Sequence, residues 1–259
     1  GLIYRELGNY PQAIILYQQG LAIHQRLKNR AGEAASLNNI GLTYHERGEY
    51  AEALTFYQQA LGIHREIGNR ESEGRTLNNL GELYRQLGQY SQALVLYNQA
   101  LEVVKTTSDR GNIGNTLHNI GLLYESQRNY PEALNFYQQS FSIRKEIGDK
   151  AGEGITLNNM GLVYNQLGNQ SQALESLQQA LAIFKQLGNR VNIGNTLDSI
   201  GTVYKSLGQY SPALESYQQA LAILREIGSR EIERVTLSNI GSVLEKQNQP
   251  ELAIVFYKQ

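Results

Sequence analysis

The chain has 259 residues, with 23 Lys plus Arg against 24 Asp plus Glu and a formal net charge of −1. That balance speaks against a nucleic-acid-binding surface, which carries a basic excess on one face, and the absence of cysteine removes disulfide scaffolds, cysteine-based zinc sites and thiol chemistry. No apolar run approaches the ~20 residues needed to cross a bilayer and no secretory leader is visible, a combination that suits a reducing, cytoplasmic compartment.

From its first residue the chain repeats itself with a period of 40: Gly1, Gly41, Gly81, Gly121, Gly161, Gly201 and Gly241 form one series. Tyr4, Tyr44, Tyr84, Tyr124, Tyr164 and Tyr204 form a second, closed by Leu244, and Ala13 through Ala253 a third. The partial unit 1–30 is followed by full units 31–70, 71–110, 111–150, 151–190 and 191–230, then by the partial unit 231–259. Residues 33–47 illustrate the first half of a unit. Leu37, Ile40, Gly41 and Tyr44 sit at i, i+3, i+4 and i+7, one face of an α-helix. Gly48 breaks that helix. A second apolar stripe follows in 50–67, made of Tyr50, Ala53, Leu54, Tyr57, Ala60, Leu61 and Ile67, and Gly68-Asn69-Arg70 ends it with glycine where a left-handed cap is common. Glycine in mid-helix at every repeat costs ~1 kcal/mol against alanine each time, which makes sense if a neighbouring helix lies against Gly41 and its equivalents.

Later units drift from this pattern. At 103–110 the string VVKTTSDR puts Thr107 and Ser108 where Ile67 and Gly68 stand. Gln170 and Leu177 replace Tyr50 and Tyr57, which predicts a repacked core in that hairpin. Asn248 and Pro250 replace Gly48 and Tyr50. Neither end carries a polar capping helix of the kind repeat arrays use, so the sequence is expected to be a fragment of a longer protein.

The pattern Leu37, Gly41, Tyr44, Ala53, Tyr57, Ala60 resembles the tetratricopeptide repeat, lengthened from about 34 residues to 40, with leucine in place of the first-helix tryptophan and without the late proline. Together with the recurrent LNNIG and LNNLG strings it is similar to the long-repeat subclass that includes kinesin light chains, Pins-type polarity adaptors and bacterial signalling arrays. The resemblance implies an all-α fold: an α-solenoid of antiparallel helical hairpins wound as a right-handed superhelix. It also implies a non-enzymatic scaffold whose first helices line a concave groove.

On a helical wheel the face opposite the core stripe holds positions 35, 39, 42 and 46, flanked by 38 and 45. Position 39 reads Asn39, Asn79, Asn119, Asn159, Ser199, Asn239, and position 38 reads Asn38, Asn78, His118, Asn158, Asp198, Ser238. Asparagine is a mediocre helix former whose amide both donates and accepts. A column of it could grip the backbone of an extended peptide, as the asparagine ladder of kinesin light chains does by resemblance, or pair between repeats to fix their stagger. The 38 register is expected to be solvated. Candidate groove residues are therefore Asn39, Asn79, Asn119, Asn159 and Asn239 with Asn78, Arg75, Arg85, His118, Leu122, Asn158 and Leu162. Arg75 and Arg85, with His45 and His118 in flanking units, could favour an acidic or C-terminal carboxylate ligand, or the arginines could simply face water, as isolated surface arginines mostly do. The expected partner is a protein or extended peptide, with neither nucleic acid nor membrane. The alternative is a structural spacer that self-associates through uncapped ends or docks on a fused effector domain.

Other features carry less. Arg30, Arg70, Arg110, Lys150, Arg190 and Arg230 are expected near helix C-termini, where cations are favoured, with Glu33, Glu73, Glu153 and Glu233 following three residues later. GNIGNT at 111–116 lacks the lysine and preceding strand of a phosphate loop. His24 and His64 share one repeat position, and no HExxH string accompanies them, so no metal and no cofactor is expected. No serine stands in a G-x-S-x-G elbow, and no catalytic residue is assigned.

Overall fold

A computed structural model describes residues 1–258; Gln259, the end of the last partial unit, lies outside the described residues. Among the described residues there are only helices and the turns between them, in two compact units. The first, Gly1–Gln127, contains α1 (Leu2–Glu6), α2 (Tyr10–Arg26), α3 (Arg30–Glu46), α4 (Tyr50–Glu66), α5 (Arg70–Gln86), α6 (Tyr90–Lys105) and α7 (Arg110–Ser126). The second, Arg128–Gln259, contains α8 (Tyr130–Glu146), α9 (Lys150–Gln166), α10 (Gln170–Gln186), α11 (Arg190–Ser206), α12 (Tyr210–Glu226), α13 (Arg230–Lys246) and α14 (Pro250–Tyr257). In the first unit α3 packs on α4 and α5 on α6, while α3 also meets α5 and α5 meets α7; in the second, α9 meets α11 and α11 meets α13. The odd-numbered helices thus form one layer within each unit, and the even-numbered helices back it.

The turns follow from local chemistry. Gly48 adopts φ +79°, and the amides of Gly48 and Glu49 donate to the carbonyls of His45 and Tyr44 at 2.9 Å each, closing the left-handed C-terminal motif that exposed carbonyls at a helix end require. Helices α3, α5, α7, α9 and α11 are each started by a side chain. Asn29, Asn69, Asp109, Asp149 and Asn189 accept from the backbone N–H three residues on, at 2.9–3.1 Å. The TTSD turn manages without a left-handed residue. There α6 stops at Lys105, and the hydroxyls of Thr106 and Thr107 donate to the carbonyls of Val103 and Val104.

The basic residues of the inter-repeat turns are not at helix C-termini as expected. Arg30, Arg70, Arg110, Lys150, Arg190 and Arg230 each occupy the first residue of the next helix, the end where a cation is disfavoured. Acidic partners within the first turn offset this. Arg30 pairs with Glu33 at 2.6 Å, Arg70 with Glu73 at 3.0 Å and Lys150 with Glu153 at 2.8 Å. Glu73 is almost fully buried and takes a second guanidinium from Arg65 at 2.9 Å, which ties the end of α4 to the start of α5.

The glycine series marks close packing inside each hairpin. A Cβ on Gly41 would lie 2.8 Å from the Tyr57 ring and 3.3 Å from the Ala53 carbonyl; on Gly81 it would lie 2.6 Å from Tyr97, and on Gly201 2.7 Å from Tyr217. The tyrosines are fully buried. In the hairpin where leucine replaces tyrosine, Leu177 takes the same seat, 2.6 Å from a Cβ on Gly161, and joins Ala173, Ile200 and Val203 in the core. The cavity a lost ring would leave is closed by a smaller side chain moving onto the same glycine.

Candidate functional site

The two asparagine registers of the odd helices have different surroundings. The 38 register is enclosed rather than solvated, except at the exposed Ser238. Asn78 is 6% exposed, because it lies where α5 meets α7, and His118 is 7% exposed. Asn78 Nδ2 donates to Thr116 Oγ1 at 2.8 Å, 38 residues further on. Asn38 Oδ1 accepts from Thr76 Oγ1 at 3.3 Å and from Asn79 Nδ2 at 3.2 Å. In the second unit the Asp198 carboxylate accepts from Asn239 Nδ2 at 3.0 and 3.3 Å. Asn158 stands in the same register with a buried oxygen that has no partner. The register therefore pins neighbouring odd helices, and burial makes each pin costly to leave unmade.

The 39 register is half-buried throughout its asparagines. Asn79 spends one N–H on Asn38 and Asn239 one on Asp198; Asn239 also accepts from Lys205 Nζ at 3.5 Å. The amides of Asn39 and Asn119 have no intramolecular partner among the described residues, where only the Asn39 backbone oxygen is engaged, by Thr43. Leu122 and Leu162 stand half-buried one turn further on.

The basic residues separate. Arg85 donates to both Glu82 oxygens, at 2.6 and 2.8 Å, and to Ser126 Oγ at 2.8 Å. Burial works against the Glu82 carboxylate, but Arg85, with Gln86 and the Tyr97 hydroxyl, holds it below the ordinary glutamate range. Tyr97 itself is pushed well above the usual tyrosine range, by burial first and by Glu82 second. His45 is buried between Gln86 at 3.0 Å and the Tyr57 hydroxyl at 3.4 Å, and His118 is buried. Of the four groups expected to favour an anionic ligand, Arg75 alone is an exposed side chain, held loosely by Glu71 at 2.8 Å. The sequence pattern missed one component of this layer: the threonine register Thr76, Thr116, Thr156, Thr196 and Thr236, all buried. Its signal was present in the Thr-Leu that recurs every 40 residues from Thr76 to Thr236.

The tetratricopeptide repeat profile matches residues 1–66, 47–106, 112–186, 154–226 and 192–259. The chain belongs to the tetratricopeptide repeat family. Repeats of this family build protein-interaction scaffolds rather than catalytic centres. Among the described residues there is no His, Asp and Glu group able to hold a metal ion, and no helix is long and apolar enough to cross a membrane. Among curated proteins no significant sequence match is found. Several solved structures share the fold. BtubC (BKLC) from P. vanneervenii is 18% identical with TM-score 0.74, over 85% of this chain and 92% of that one. The STAND protein PH0952 from Pyrococcus horikoshii, which has a tetratricopeptide repeat sensor, is 19% identical with TM-score 0.78, over 99% of this chain but 38% of its own. A Rap protein complexed with Competence and Sporulation Factor is 15% identical with TM-score 0.78, over 100% of this chain and 71% of its own. The chain thus spans well under half the length of the STAND protein.

Proposed function

We propose that this scaffold binds an extended peptide or protein segment along the odd-numbered helices, with Asn39, Asn79 and Asn119 gripping the ligand backbone in the first unit and Asn159 and Asn239 doing so in the second. One observation carries the reading. The 38 register and the buried threonines pin the helices, so the unpaired amides of Asn39 and Asn119 are left without a structural task on a helix where asparagine is a mediocre choice. An amide offering both donor and acceptor matches a backbone N–H and C=O together. Leu122 and Leu162 would then contact ligand side chains. The neighbour complexed with Competence and Sporulation Factor supports the same use of this fold.

The test is a peptide-library selection against the chain, repeated with Asn39→Ala/Asn119→Ala. Both residues are half-buried and free, so the variant keeps its fold, and loss of four hydrogen bonds, two from each amide, should weaken enriched peptides at least tenfold, at about 0.5–1.5 kcal/mol per bond. Equal binding by parent and variant would show that the column serves no ligand. A second reading, self-association, is favoured by the exposed apolar residues Leu2, Ile3 and Leu7 around α1 and Leu252, Ile254 and Val255 on α14. It requires a mass that grows with concentration in sedimentation, and Leu2→Ser/Ile254→Ser to abolish that growth.

A further inference from the structure

The even-numbered helices of the first unit hold a cleft on the outer face, away from the asparagine column. It measures about 420 Å³ and runs between α2 and α4. Its floor is Leu37 of α3, and its walls are Leu21 of α2 with Phe56 and Ile63 of α4. Leu37 and Ile63 belong to the buried core beneath, while Leu21 and Phe56 stand half-buried at the sides. The Phe56 ring stacks on Tyr44 with centroids 5.5 Å apart, so this wall is held in place from behind. The charges lining the cleft engage one another. Arg30 lies between Glu33, at 2.6 Å, and Glu66, and Gln25 donates to Glu33 at 3.3 Å.

Gly62 opens the α4 wall. Glycine is disfavoured in mid-helix, and Gly41, Gly81, Gly161 and Gly201 are accounted for by a packed side chain 2.6–2.8 Å from where a Cβ would stand. Gly62 meets nothing within 4 Å, so the packing of the chain itself gives no reason for it. The repeat supplies internal controls. This position reads Ala22, Gly62, Glu102, Ser142, Ala182 and Ala222 along the array. In the next outer cleft, where α6 passes over Leu77, Glu102 fills the corresponding place. The glutamine three residues earlier differs between the units as well. Gln59 and Gln99 have no side-chain partner among the described residues, whereas Gln139, Gln179 and Gln219 donate to Asn135, Glu175 and Glu215 at 3.2–3.3 Å. We propose that the α2–α4 cleft is the docking site for an amphipathic helix of a partner protein, which lays an uncharged apolar stripe against Leu21, Phe56 and Ile63 and comes closest at Gly62.

The chemistry of the cleft selects this occupant. An extended segment would bring unpaired N–H and C=O groups over an apolar floor between helices whose own backbone groups are already paired internally. A helix satisfies its backbone by itself. Packed helices approach to ~8–10 Å depending on the side chains at the contact, and a glycine permits the near end of that range. From Phe56 to Glu66 α4 advances about 15 Å, which matches about three turns of a partner with anchors at i, i+3 or i+4, and i+7. Because Arg30, Glu33 and Glu66 compensate one another, a charged stripe would have to break those pairs to gain a contact. The electrostatic complement of the cleft is therefore a neutral face.

The experiment is a selection from a displayed library of helical peptides against the full chain, with all positions randomised on a helix-forming frame, followed by affinity measurements on the enriched peptides. Gly62→Gln puts the side chain of a good helix former into the free space of the cleft, so the variant folds and the site is blocked. Ser142→Gln makes the same change at the exposed equivalent position of the second unit and serves as the control. The enriched peptides should carry apolar residues at i, i+3 or i+4, and i+7, and bind the parent and Ser142→Gln alike. They should bind Gly62→Gln more weakly by roughly tenfold or more, lose binding when a central residue is changed to proline, and keep their affinity within about twofold between roughly 50 and 500 mM salt. The proposal is overturned if no helical pattern is enriched, if Gly62→Gln binds as the parent does, if the proline peptides still bind, or if salt abolishes binding. It is also overturned if the parent alone gains mass with concentration and Gly62→Gln does not, since a second copy would then be the occupant. The Asn39→Ala/Asn119→Ala variant should bind these helices normally, so this cleft and the asparagine column stand or fall separately.

Discussion

Two glycines of neighbouring helices should respond to the same substitution with opposite signs. Gly62 lies in the exposed interior of α4, and a Cβ built there meets nothing within 4 Å. Gly62→Ala therefore collects the helix-propensity gain of ~1 kcal/mol with no packing cost. Gly81 lies in α5, where a Cβ would sit 2.6 Å from the ring of Tyr97. That ring is fully buried, and its hydroxyl donates to Glu82 at 3.1 Å, so it cannot swing aside. Overpacking of this kind costs ~1–3 kcal/mol, and the clash lies at the severe end because a ring rather than a flexible chain must move. Set against the same ~1 kcal/mol propensity gain, Gly81→Ala should lose about 1–2 kcal/mol, which puts the two variants about 2–3 kcal/mol apart. Repeat arrays need not unfold in one step, so the measurement is native-state hydrogen exchange of α4–α6 amides beside a urea titration. Faster exchange in α5 and α6 for Gly81→Ala, and slower exchange in α4 for Gly62→Ala, is the expected pair. If Gly81→Ala stabilises as Gly62→Ala does, the hairpin has room that the close approach of α5 and α6 denies, and the packing account of the glycine series is wrong.

Two carboxylates give opposite pH signatures. Glu82, whose pKa is depressed because Arg85 and its other donors outweigh burial, contributes stability that is present at neutral pH and is lost as pH falls below the unfolded glutamate range towards its folded pKa; Glu82→Gln should cost about 1–2 kcal/mol at pH 7 and flatten that acid limb in urea midpoints measured against pH. Asp198 has a raised pKa because burial outweighs the hydrogen bonds from Asn239. Its folded form takes up a proton before the unfolded chain does, so stability should rise as pH falls from neutral towards the ordinary aspartate range. Asp198→Asn restores the residue that Asn38, Asn78 and Asn158 carry in this register, and should stabilise the second unit by about 0.5–1 kcal/mol at pH 7 while removing the rise; a loss at neutral pH would mean that the charge itself is needed.

The helices, their hairpin pairing and the tight glycine seats were legible in the sequence because they depend on periodicity and size, which repeat every 40 residues. Leu177 shows how far that reasoning reaches: its replacement of tyrosine signalled repacking, and the structure puts it on Gly161. What the pattern could not separate was burial of like from like. Asn38 and Asn39 both lie off the core stripe, ~100° apart on the wheel, and only the approach of the next odd helix decides that one register is enclosed and the other half-open. The basic turn residues were misplaced for a related reason. Only three residues separate the end of α4 from the start of α5, so Arg70 reads equally well as the tail of α4 or the head of α5, and the Asn69 cap decides for the latter.

The division of labour between the registers also sets the spacing a ligand should show. Packed helices lie ~8–10 Å apart and an extended chain advances ~3.3 Å per residue, so one odd helix corresponds to about three ligand residues. Within the first unit the column offers a free amide at Asn39, one partly spent on Asn38 at Asn79, and a free one at Asn119. A backbone gripped mainly at the free amides would be held firmly about every six residues, with a weaker contact midway. The sequence preference of the scaffold should therefore come from the groove neighbours of the column, such as Leu122 and Leu162, because a ladder of amides alone reads a backbone and is indifferent to side chains.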